Sequence, residues 1–141
     1  MKLLFKATRD GQHWSNFHSK CDKKVQQLIF IKTTKGEIFG GYTEEGFRSR
    51  NDSIVDNKAF VFSFSTKKIY NAKNNKKTIY DNSSYGPYFY GSSYGAFYIP
   101  PNMLEDKSYT CDIKNSFFDG MIIDYEMNNG EQCFYAEEIE V

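Results

Sequence analysis

The chain holds little of what most function classes require. Its 141 residues include three prolines, five alanines, three cysteines, two histidines and one tryptophan. Scarce alanine and proline favour strands over a helical bundle. Neither sign of charge is in excess, because 18 Lys+Arg face 18 Asp+Glu. That balance argues against a nucleic-acid binder working by bulk charge. Cys21, Cys111 and Cys133 are odd in number and lack CxxC spacing, which makes a poor disulfide framework and a poor zinc site. Reduced thiols of an intracellular protein are the expectation. No hydrophobic run approaches the ~20 apolar residues of a membrane span. Leu3-Leu4-Phe5 is too short for a signal-peptide core. These absences point to a soluble, cytoplasmic protein with no integral membrane segment and no nucleic-acid partner. HExxH, GxGxxG and GK[ST] are all missing, so neither a metal nor a phosphate cradle is expected.

What the chain does have is aromatic side chains: 13 Phe and 11 Tyr bring aromatics to 18%. With only 26% charged residues, such a chain can bury a core. Residues 2–6 read as a short strand, and Arg9-Asp10-Gly11 as a turn. Trp14, Phe17, His18 and Cys21 fall at i, i+3, i+4 and i+7, which predicts a helix over 12–20 with a buried stripe. Residues 26–33 and 37–43, joined by Thr34-Lys35-Gly36, read as a hairpin. Residues 44–57 are polar and read as a loop. Residues 58–65 alternate, with Phe60, Phe62 and Phe64 on one face and Ala59, Val61 and Ser63 on the other, as in a sheet with one face on a core. Short strands are expected at 67–71, 77–80, 120–127 and 132–141, and irregular chain at 100–116. About eight short strands and no second core predict one domain over 1–141. The fold class is mainly β (α+β): a two-sheet antiparallel β-sandwich with one or two short flanking helices.

Few constellations carry chemistry. Gly40-Gly41 lie inside a strand, where paired glycines mean a bulge or a close backbone approach. His18 and Cys21 share a helical face, but no orienting group or oxyanion site accompanies them. A packed histidine and a buried cysteine are the simpler reading. Lys20, Lys23 and Lys24 flank Cys21, and positive neighbours lower a thiol pKa, so Cys21 is a candidate redox thiol if exposed. Glu137, Glu138 and Glu140 read as a solvated strand edge. The Tyr-, Gly- and Ser-dense stretch 81–98 has three readings, of which a low-complexity tract is disfavoured by the apolar residues within it. Its aromatics fill a β core, which the interspersed Ile79, Phe89, Phe97 and Ile99 favour. Alternatively Tyr85, Tyr88 and Tyr94 are surface aromatics stacking on sugar rings or single-stranded bases.

An ordered set of motifs resembles the TLDc domain. It opens with Leu3-Leu4-Phe5, Asp10-Gly11, Phe17-His18 and Lys20-Cys21-Asp22. It continues with Leu28 to Lys32, the Gly36 turn and Ile38-Phe39-Gly40-Gly41-Tyr42, then Ala59-Phe60-Val61-Phe62-Ser63-Phe64. Ile79-Tyr80-Asp81 with Tyr85-Gly86-Pro87 is similar to protist members, and Glu138-Ile139-Glu140-Val141 to the closing strand. The chain starts at the Leu-Leu strand, where most members have a helical lead-in. The resemblance implies a β-sandwich, no cofactor, no catalytic site and a part in oxidative-stress protection. It also implies a protein partner, with subunits of the vacuolar proton-pumping ATPase (V-ATPase) as the family's example.

Overall fold

The computed structural model describes residues 1–91, 95–110 and 116–141. Two short helices, α1 (Ala7–Asp10) and α2 (Trp14–Cys21), precede the strands. The first sheet is antiparallel and five-stranded, in the order β11 (Ala136–Glu140), β1 (Gln27–Thr33), β2 (Ile38–Thr43), β4 (Phe60–Ser63) and β5 (Lys68–Asn71). The second has six strands: β10 (Cys133–Phe134), β9 (Ser108–Thr110), β8 (Phe97–Tyr98), β7 (Tyr88–Phe89), β6 (Lys77–Asp81) and β3 (Asp52–Val55). This is the expected antiparallel sandwich. The hairpin of β1 and β2 is present, with Leu28 opposite Tyr42 and Phe30 opposite Gly40.

The core lies between the sheets. Ile29, Ile31, Phe39, Val61, Tyr70 and Ile139 come from the first sheet, and Ile79, Phe89 and Phe97 from the second, all fully or almost fully buried. Phe39 bridges the layers, with ring centroids 5.9 Å from Phe97 and 5.1 Å from Phe134. At one end α2 adds Phe17, edge-to-face with Phe5 at 5.8 Å and Phe47 at 5.4 Å. The helical stripe reads as expected: Phe17, His18 and Cys21 are buried and Trp14 is half-buried.

Four expectations need correction, and a fifth, the alternation at 58–65, is sharpened. Residues 120–127 form no strand. Buried Glu126 accepts hydrogen bonds from the Ile122 and Ile123 amides at 2.6 and 3.3 Å, which folds the segment into turns and a one-turn 3-10 helix, Glu126–Asn128. Burial opposes ionisation of Glu126, but those amides with Lys68 and Tyr70 outweigh it and hold the carboxyl below its ordinary range. The loop at 44–57 contains β3, a short edge strand, and 100–116 contains the three-residue β9. The start of the chain is extended beside β11, with one isolated bridge between Lys6 and Glu140, and is not a strand. In β4 the alternation is correct, but the core takes the small side chains. Ala59, Val61 and Ser63 are buried, whereas Phe64 is 57% exposed.

Candidate functional site

Both outer faces of the sandwich are aromatic, and the strand register explains each. On the first sheet Leu28, Phe30, Tyr42, Phe60 and Phe62 project outward, because their neighbours in sequence fill the core. Phe60 stacks on Tyr42 at 5.1 Å and 18°. Phe30 and Phe62 meet edge-to-face at 5.3 Å across Gly40, the residue both are paired with. Ile69, paired with Phe62, is 63% exposed. Leu28, Phe30, Phe60, Phe62, Phe64 and Ile69 line a groove of about 630 Å³, with Lys67 and Lys68 at its rim. Two further hollows of about 490 and 670 Å³ continue past Phe30 toward Glu137–Glu140 and toward the N-terminal residues. Exposed apolar continuity of this kind marks interaction surfaces.

The second sheet carries a tyrosine ladder. Tyr80, Tyr88, Tyr98 and Tyr109 sit on adjacent strands β6 to β9 and face outward, opposite in sense to Ile79, Phe89 and Phe97. Tyr85 joins them from the β6–β7 connection. Tyr80, Tyr85, Tyr88 and Tyr98 line a cleft of about 280 Å³. The stretch 81–98 therefore does both things expected of it as alternatives: its phenylalanines enter the core and Tyr85 and Tyr88 form surface. The rings of Tyr88 stand at 84° to Tyr80 and 63° to Tyr98, so they make furrows and not a flat platform. Tyr94 lies outside the described residues, as does Cys111. Burial raises Tyr98 to about 12 and Tyr88 further.

The glycine pair is a close approach on both sides of one strand. A Cβ at Gly40 would fall 1.8 Å from the Ile29 carbonyl oxygen, and one at Gly41 would fall 2.7 Å from the Phe89 ring. Gly40 thus admits the outer phenylalanines, and Gly41 admits a ring from the opposite sheet. Tyr42 donates its hydroxyl to Glu44, and this bond, with burial, raises the phenol to about 12. Asp10 accepts from the Arg9 guanidinium and the Lys6 amide, which hold its carboxyl down near about 2. Gly11, at φ 106°, turns the chain tightly over Asn16. Asp10 and Gly11 therefore set the α1–α2 corner.

Cys21 is 0% exposed, and burial, with Asp22 and Asp10, pushes its thiol up to about 12. The lysines beside it in sequence do not offset that. Cys21 is therefore the buried cysteine of the simpler reading, a core group, and the condition of exposure that a reactive thiolate needs is not met. His18 is likewise packed. Its Nδ1 lies 2.7 Å from Asp22 Oδ1 and 3.0 Å from Ser49 Oγ, and its Nε2 lies 2.9 Å from the Tyr85 carbonyl oxygen. Both ring nitrogens are engaged within the fold, tying α2 to the loop that carries Tyr85. Buried Asp81 accepts from the amides of Arg48, Ser49 and Arg50, and buried Asp56 from those of Glu44, Glu45 and Lys58. Both carboxylates serve as loop anchors. Among the described residues no group of three His, Cys, Asp or Glu side chains is placed to hold a metal ion, and no helix is long and apolar enough to cross a membrane.

Sequence reasoning missed Phe30, Ile69, Tyr80 and Tyr98 as surface residues. The signal was present in strands where both alternating sets are apolar or aromatic, as in Leu28-Ile29-Phe30-Ile31 and Phe97-Tyr98.

The comparisons with known proteins fit this architecture. The MTOR-associated protein MEAK7 of Danio rerio is 26% identical over 62 residues, which is 44% of this chain and 14% of that protein. The chain thus matches a small fraction of its relative's length. The TLDc domain model matches residues 1–141, and the chain belongs to the TLDc domain family.

Proposed function

We propose that this chain is a non-catalytic protein-interaction domain whose docking surface is the outer face of the first sheet. The observation that carries this reading is the outward run of Leu28, Phe30, Phe64 and Ile69 around the packed Phe62 ring, with Phe64 and Ile69 more than half exposed. A solvated monomer has little reason to keep such a face, whereas a partner that covers it gains the burial energy. Membership of the TLDc family supports a role linked to oxidation resistance. The relative's association with MTOR, stated in its name, supports a protein partner. By the same family reasoning the partner is a subunit of the vacuolar proton-pumping ATPase, met in the cytoplasm.

Affinity purification from the source cell, with the pump kept intact, tests the reading. Wild type should retain pump subunits, and a Phe64→Asp/Ile69→Asp double variant should lose them by at least about tenfold. Equal recovery by both proteins would move the docking surface elsewhere. Failure of wild type to retain any pump subunit would remove that partner.

A further inference from the structure

The tyrosine cleft on the second sheet lies on the other side of the sandwich from the face just assigned, and it has different chemistry. Three properties define its ligand. First, Tyr88 stands edge-to-face with Tyr80, Tyr90 and Tyr98 at centroid distances of 5.1 to 5.6 Å, and Tyr85 does so with Tyr98 at 5.4 Å. Such packing leaves furrows between upright rings. A sugar ring needs a flat platform, whereas a ridged rod fits furrows. Second, the furrows carry phenol hydroxyls. Tyr80 accepts from the Asn82 amide at 3.2 Å, which leaves its own proton free to be donated outward. Tyr88 and Tyr98 are phenols, protonated at neutral pH, and are donors too. A ligand rich in acceptors and poor in donors is complementary. Third, the ends differ in charge. Asp106 lies just before β9 and accepts from Asn102 at 3.1 and 3.3 Å, which places its carboxylate at the end of β8 where Tyr98 sits. At the other end Lys76 sits 5.7 Å over Phe117, whose ring lies 6.1 Å from Tyr90.

We propose that the cleft of Tyr80, Tyr85, Tyr88 and Tyr98 docks a proline-rich segment in the polyproline II conformation, with a basic residue at the Asp106 end. A polyproline II rod has three flat ridges, unpaired carbonyls and, where the residue is proline, no N–H to satisfy. Aromatic-lined grooves recognise such rods because little ordering entropy is lost. Here the rings wedge one another, so the receptor is preorganised too. The three strands that carry the cleft, β6, β7 and β8, span roughly 10 Å at the usual strand spacing, which about three polyproline residues cross. Asp106 sets the direction by attracting the ligand's cation.

The test is an amide-resolved NMR titration of the full chain with a synthetic peptide of about eight prolines carrying one terminal arginine. Saturable shifts should centre on Tyr80, Tyr85, Tyr88 and Tyr98. Tyr88→Ala should weaken binding at least about tenfold. Tyr98→Phe keeps the ring and the fold and removes one hydroxyl, and should weaken it about fivefold. Asp106→Asn should abolish the preference for the arginine-bearing peptide over the same peptide without arginine. The Phe64→Asp/Ile69→Asp variant should bind the peptide as wild type does, which separates this site from the opposite face. No shifts in the cleft at millimolar peptide, undiminished binding by Tyr98→Phe, or shifts produced by an oligosaccharide and not by the peptide would each overturn the proposal.

Discussion

The two outer faces of the sandwich are built alike and finished differently. Each is a row of aromatic side chains projected away from a shared core by strand alternation. On the first sheet the row is mostly phenylalanine, leucine and isoleucine, with the Tyr42 hydroxyl donated to Glu44, and it is grooved and exposed at Phe64 and Ile69. On the second it is tyrosine, half-buried, with rings propped against one another and a phenol hydroxyl on each. One oxygen per ring changes what each face can hold. The phenylalanine face can only gain by losing water, so it suits a broad apolar partner. The tyrosine face keeps donors at fixed positions, so it can select for acceptors. A high aromatic content therefore need not mean a large core, because much of it here coats the outside.

The comparison can be broken or sharpened by experiment. The largest effect is expected at Gly40, where the phenylalanine face closes over bare backbone. Gly40→Ala places a methyl 1.8 Å from the Ile29 carbonyl oxygen, and should cost about 3 kcal/mol in chemical denaturation. An unchanged midpoint would mean that Phe30 and Phe62 do not need the glycine between them. The next effect belongs to the tyrosine face and appears in alkali. Tyr98 is raised from 10.0 to about 12 by burial, so its folded form prefers the protonated phenol. Its contribution is complete below about pH 10 and is lost as pH rises toward about 12. Tyr98→Phe should flatten that limb of the stability curve by on the order of 1 kcal/mol, discounted for its partial exposure. The smallest effect is expected at Phe64, where Phe64→Asp should change stability by no more than about 0.5 kcal/mol because the ring is already largely in water. A larger loss would show that this residue supports the fold and is not held in reserve for a partner.

The sandwich was legible in the sequence because its long central strands alternate and its turns carry glycine. Gly40-Gly41 was legible as a close approach, and the helical stripe of Phe17, His18 and Cys21 as packing. The losses have physical causes. Residues 120–127 alternate like a strand, but Glu126 supplies from its side chain the acceptors that a neighbouring strand would have offered. The strand β3 is a four-residue edge inside a polar stretch, and its pairing with β6 comes from a segment 25 residues away, Ile54 against Ile79. The faces were the hardest part. Alternation separates two sets of side chains but does not say which set turns inward. In β4 packing against the opposite sheet selected Val61 and left the larger rings outside.

The position of Cys21 has a consequence for how oxidants meet this fold. A thiol with no exposed surface, held protonated by its surroundings, reacts only when α2 lifts away. Its modification rate is then a clock for that opening: the intrinsic thiolate rate multiplied by the fraction of time the helix is displaced. Peroxide would not be sensed by the thiol itself but by whatever loosens the hinge between Asp10-Gly11 and the His18–Tyr85 tether. Anything that tightens that end of the sandwich, a ligand in the neighbouring cleft included, would slow the clock without touching sulfur.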